Sequence, residues 1–156
     1  MSDVVFFKGE QAQLEPSPIN PAWVVEGKPI ARSFLVSKSL DGSGFTYLWD
    51  CTAGVFHWHY DIDETVYIIE GSVIIRDDNG KEWRLTAGDH VLFRAGSHAL
   101  WRVENYVRKV AFFRQPVPAL LSFPVRVVRK LTRVLNLGSV KADTGFTAQS
   151  SAGGAD

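Results

Sequence analysis

The sequence predicts an all-β domain of barrel or sandwich type, and three observations carry that prediction. Between about Ala31 and Pro116 the chain runs in short apolar or alternating stretches separated by turn residues, the period-two pattern of half-buried strands. Asp41-Gly42 and Asn79-Gly80 are dipeptides that accept the positive φ of tight hairpin turns. Helical spacing of apolar residues begins only after Pro116, so the β pattern is continuous up to that point.

The chain divides into four stretches. Residues 1–26 hold Pro16, Pro18 and Pro21 with little periodicity and predict an extended arm contributing at most one edge strand. Residues 27–117 form the β domain, with strands expected near 31–37, 45–51, 54–60, 65–70, 72–77, 82–86, 90–94, 98–104 and 107–114. The run "VIIRDDNGKEWRL" is the clearest hairpin. Over 118–138, Val125, Val128, Leu131 and Leu135 recur at helical spacing while Arg126, Arg129, Lys130 and Arg133 take another face. That is a basic amphipathic helix, with Pro124 near its start and Gly138 past its end. Residues 139–156 are small and polar and predict a disordered tail.

Composition narrows the class. With 156 residues, 46% hydrophobic and 22% charged, the chain has the size and make-up of one soluble domain able to bury a core unaided. Seventeen basic side chains balance seventeen acidic ones, so no overall field draws it to nucleic acid. The single cysteine, Cys51, cannot form an intrachain disulfide and fits a reducing compartment. The start lacks a basic region followed by an apolar core, and no apolar run reaches a membrane span. The cytoplasm is the expected location.

The chemistry concentrates in "HWHYDIDETVYIIEG", residues 57–71. His57 and His59 are one residue apart in a strand, so alternation places both imidazoles on one face. Glu64 begins the next run after a turn-like "YDID" and is positioned to return a carboxylate towards them. Two imidazoles and a carboxylate suit a divalent transition metal, Mn, Fe, Co, Ni or Zn. No Gly-x-Ser-x-Gly elbow, P-loop or paired-glycine dinucleotide loop is present, which removes the common hydrolase, nucleotidase and dehydrogenase readings.

The pattern His57-x-His59-x4-Glu64-x6-Gly71 resembles the first motif of the cupins, and "GDHVLFRAGSHALW", residues 88–101, resembles their second. The wider run, including "DETVYIIEG" and "WRVENYVRK", looks like the cupin branch named for (S)-ureidoglycine aminohydrolase. The resemblance implies a single jelly-roll β-barrel. It also implies a metal held by His57, His59 and Glu64 and by a second-motif histidine. Cys51 stands where the first motif has glycine, Arg94 where the second has proline, and Ala99 where the second has its histidine. His98 lies one residue short of that position, and a bulge after Gly96 would be needed to turn it inward.

Two functions follow as expectations. The first is a metal-dependent cupin enzyme, an aminohydrolase, isomerase or dioxygenase acting on a small polar metabolite, with Tyr67, Arg94, Trp101 and Arg102 as substrate contacts. The second is a non-catalytic ligand-binding or sensor cupin, or a dimeric scaffold. A homodimer is expected because the strand edges and the apolar helix face need cover. For the basic helix, packing on the barrel or a second subunit ranks first, an anionic membrane second and nucleic acid last.

Overall fold

The computed structural model describes Val4, Phe6, Lys8, Gly9 and residues 12–115. The helix expected over 118–138 and the tail over 139–156 lie outside the described residues. Among the described residues there are eight strands: β1 (Glu15–Pro16), β2 (Val24–Gly27), β3 (Ala31–Lys38), β4 (Gly44–His59), β5 (Asp63–Asp77), β6 (Glu82–Thr86), β7 (His90–Phe93) and β8 (His98–Arg114). All their pairings are antiparallel.

Three of these strands are long because each joins two of the predicted runs. β8 lies between β4 and β5 along its whole length. The first half of β4 pairs with β3 and its second half with β2, while the first half of β5 pairs with β7 and its second half with β6. Register shifts at Thr52/Gly54, Ile68/Glu70 and Gly71/Ile74 bend the strands where they pass from one half to the other. The sequence suggested breaks at these places because a bulge interrupts alternation as a turn does, yet the hydrogen-bonded ladder continues past it.

The result is a jelly roll of two facing sheets. One is β1-β3-β4-β8-β5-β7, built from the first halves of β4 and β5 and the second half of β8. The other is β2-β4-β8-β5-β6, built from the remaining halves. A single core fills the space between them. It includes Trp49, Cys51, Val66, Ile68 and Val107 from the first sheet and Phe56, Val73, Ile75, Trp101 and Val103 from the second.

The arm contributes two short edge strands, β1 and β2, joined across a 3-10 turn at Pro21–Trp23 that Asn20 caps by accepting the Ala22 N–H at 3.0 Å. The hairpin at Asn79-Gly80 differs from the two-residue turn expected. Asp77 N–H bonds the Lys81 carbonyl and Gly80 N–H bonds the Asp77 carbonyl, each at 3.0 Å, so three residues form the loop and Gly80 takes φ +80. The Asp77 carboxylate then accepts from the N–H groups of Asn79 and Lys81, which favours the wider loop. Among the described residues, no helix is long and apolar enough to cross a membrane.

Candidate functional site

Alternation along the strands decides which polar side chains enter the core. On β5 the inward row is Glu64, Val66 and Ile68; on β8 it is Val107, Lys109 and Ala111, all buried. Glu64 and Lys109 are therefore interior positions of two adjacent strands. Their register places Lys109 opposite Ile68 and Glu64 opposite Phe113, so the lysine stem spans the intervening positions. Lys109 Nζ donates to Glu64 Oε1 at 2.6 Å, with the two side chains 4% and 1% exposed.

Around this pair stand three tryptophans. Lys109 Nζ lies 4.5 Å from the Trp101 ring centroid, 4.9 Å from Trp49 and 5.8 Å from Trp58. The π faces attract the ammonium electrostatically, and such contacts strengthen when desolvated. A lone buried charge costs several kcal/mol, and ion pairing with a hydrogen bond offsets that cost. The site therefore holds a neutral pair of charges inside an apolar cage.

Tyr60, the residue just past the end of β4, is buried like Phe56 on that strand. It is 3% exposed, its ring stacks on Phe93 at 4.2 Å and 5°, and its hydroxyl accepts from Trp101 Nε1 at 2.8 Å. Burial first, and the negative charge of Glu64 second, push the phenol well above its ordinary pKa of 10.0, so it stays protonated.

Above the pair opens a cavity of about 230 Å³ lined by Ser17, Ser33, Tyr47, Trp49, Trp58, Glu64, Lys109, Ala111 and Phe113. Aromatic walls with a few converging polar groups are the usual make-up of a small-molecule site. A second opening of about 280 Å³, bordered by Trp23, His59 and Asp61, shares Trp58, Glu64 and Phe113 with the first.

The expected metal ligands are not brought together. His57 and His59 do share a face of β4, as alternation requires, but it is the outer face: both are exposed, while Phe56 and Tyr60 on either side of them are buried. His98 keeps the alternation of β8, so it too points outward, and no bulge follows Gly96 to reverse it. It sits directly across from His59, their ring centroids 4.7 Å apart, and its Nδ1 lies 3.4 Å from Asp78 Oδ2. Trp23 also packs on His59, ring centroids 4.8 Å apart. Glu64 alone faces the interior, and its partner is an ammonium. Among the described residues, no group of three or more His, Cys, Asp and Glu side chains gathers to hold a metal ion. This donor set does not fit the divalent metal that the sequence suggested.

The other candidates scatter. Trp101 is buried in the cage. Tyr67 is half-buried on the outer face of β5 against His90, ring centroids 4.6 Å apart. Arg94 is exposed at the rim of a separate, largely apolar cavity of about 480 Å³ that also includes Trp83, Leu85 and Phe93. Arg102 is exposed beside Glu26 and Gly54. Cys51 is a core residue whose thiol is pushed up to about 12 by burial, which makes it inert. Lys109 was the residue that sequence reasoning missed. Its signal was the row Val107-x-Lys109-x-Ala111-x-Phe113, a charge at an interior position of an apolar alternation.

Comparisons with known proteins agree with the fold. Residues 38–111 match the family model described as the EutQ-like cupin domain. A DUF861-family protein from Pseudomonas syringae pv. tomato has 28% identity and a TM-score of 0.61, over 66% of this chain and 45% of that one. The present chain thus spans less than half the length of that protein. A putative ethanolamine utilization protein Q from Salmonella typhimurium has 19% identity and a TM-score of 0.51, over 67% and 95% of the two chains. KdgF from Halomonas has 13% identity and a TM-score of 0.54, over 75% and 98%. No curated protein sequence matches the chain. With two sheets rolled about one core and a family match running from the end of β3 into β8, residues 38–111 are similar to the EutQ-like cupin domain.

Proposed function

We propose that this cupin binds a small, polar, uncharged metabolite in the cavity above the Glu64–Lys109 pair. The observation that carries the reading is the pair itself, a hydrogen-bonding ammonium and carboxylate held at 2.6 Å on the floor of an otherwise aromatic cavity. An ammonium offers three donors and a carboxylate only acceptors. One ammonium hydrogen is used on Glu64, so the pair can serve a ligand with a carbonyl or hydroxyl oxygen near an N–H or O–H. Because the two charges cancel, a charged ligand would have to displace one member of the pair, whereas a neutral one would not. A volume of about 230 Å³ falls below the roughly 300–1,000 Å³ of drug-sized pockets, which favours a small metabolite.

The metal-dependent aminohydrolase, isomerase or dioxygenase that the sequence suggested requires donors that these residues do not assemble, so the proposal is for binding. The test uses the cage as its own reporter. Intrinsic tryptophan fluorescence would be titrated with a panel of small amides, hydroxy-ketones and polyols beside matched carboxylates and amines. Saturable changes with neutral members, weakened at least about tenfold by Glu64→Gln, support the reading. A panel that produces no saturable change, or one answered only by charged members, overturns it.

A further inference from the structure

We infer that Lys109 is the resident cation of this barrel, its ammonium standing beside Glu64 in the place a divalent ion would otherwise take. The inference concerns the charge at the cavity floor and does not depend on the ligand-binding reading.

Three features converge on it. First, Glu64 is the one member of the expected donor set that faces the core, and Lys109 Nζ already sits on its Oε1 at 2.6 Å. A dication at the carboxylate would meet the ammonium at close range in a poorly solvated interior, where like charges repel strongly. Second, the remaining walls offer a cation π faces but few lone pairs. Trp49, Trp58 and Trp101 surround Nζ at 4.5–5.8 Å, and an indole carries an N–H donor with no acceptor. The Tyr60 hydroxyl is engaged as acceptor by Trp101. Such a cage suits an ammonium, which binds aromatic faces, and not a transition metal, which needs nitrogen, oxygen or sulfur donors.

Third, the strand register fixes the arrangement. Bringing His57 and His59 inward would require a one-residue slip of β4. That slip would expel Phe56, Trp58 and Tyr60, of which Phe56 is fully buried and Tyr60 is 3% exposed. The pairing of β4 with β8 over Gly54–His59, and with β2 over Gly54–Phe56, opposes it. The histidines remain outside, and the interior positive charge is covalently part of the chain. Chelators cannot remove it.

The experiment uses the full chain without an affinity tag. The parent, Glu64→Gln and the triple variant His57→Ala/His59→Ala/His98→Ala would each be incubated with excess Mn²⁺, Ni²⁺ or Zn²⁺, desalted and assayed for metal by elemental analysis. The expected result is metal well below about one equivalent in the triple variant; any metal on the parent should disappear with the outer histidines and persist in Glu64→Gln. About one equivalent retained by the triple variant and lost in Glu64→Gln overturns the inference. A second measurement needs no core substitution. ¹⁵N NMR of the parent should show one slowly exchanging lysine ammonium, unchanged by EDTA and identified by its loss in Lys109→Met. A Lys109 ammonium that exchanges as fast as surface lysines would equally overturn it.

Discussion

At the scale of single residues, the Glu64–Lys109 pair carries the sharpest predictions. Removing either partner leaves an unpaired buried charge, so Lys109→Met or Glu64→Gln should cost about 3–5 kcal/mol in denaturant titrations. The double variant should lose clearly less than the sum of the two, since neither charge is then stranded. Equal and additive losses would show that the two groups do not act as a pair. Cys51 gives a prediction in pH. Its thiol is raised from an ordinary 9.0 to about 12 in the folded protein, so above pH 9 the unfolded chain loses a proton that the native state keeps. Stability from this group is complete below pH 9 and is lost as pH rises from 9 towards 12. A disulfide reagent at pH 8 should label Cys51 only on unfolding. Sequence pattern revealed Glu64 as an interior carboxylate but left Lys109 unseen, because a lysine in a strand is normally a solvated one. The Glu64 carboxylate, together with the three tryptophans contributed by β4 and β8, explains why this one is not.

Among the elements, the turns and bulges set the consequences. Gly71 takes φ +73, and a Cβ there would lie 2.0 Å from the Tyr106 carbonyl oxygen. Gly80 takes φ +80 with nothing within 4 Å of the corresponding position. Gly80→Ala should therefore cost only the left-handed penalty of about 1–2 kcal/mol. Gly71→Ala must also push β5 from β8 and should cost more, with both differences measured by thermal or chemical denaturation. In the β3–β4 turn, the Asp41 carboxylate accepts from Ser39 Oγ and from the N–H and Oγ of Ser43. These bonds lower its pKa from 3.8 to about 2, the Ser39 hydroxyl contributing most. The stabilisation is complete above pH 3.8 and fades as pH falls through about 2. NMR titration of the side-chain carboxyl would check it. The faces of β4 illustrate what sequence can and cannot tell at this scale. That His57 and His59 share a face followed from alternation alone. Which face they share depended on the competing row Phe56, Trp58 and Tyr60, whose larger apolar area claims the core.

For the molecule as a whole, an all-β domain of barrel or sandwich type was legible because alternation, turn dipeptides and glycines agreed over some eighty residues, while the jelly roll was implied only by the resemblance to the cupins. The two-sheet path of β4, β5 and β8 was not legible, since pairing between strands far apart in sequence leaves no local mark. That path has a kinetic consequence. β4 closes on β8 with Gly44 opposite Arg114, and such non-local pairing places folding in the millisecond-to-second range. Stopped-flow tryptophan fluorescence should report it, and a microsecond phase accounting for the full amplitude would contradict it.

The central position of β8 also matters during synthesis. A ribosome makes β4 and β5 long before the strand that must lie between them, so the growing chain passes through a stage in which the two sheets cannot close. Throughout that stage Glu64 is in water, and it becomes an interior group only when the segment bearing Lys109 is delivered. Vectorial translation thus brings the neutralising charge and the closing strand as one event, and the carboxylate need not enter the core before its counter-ion.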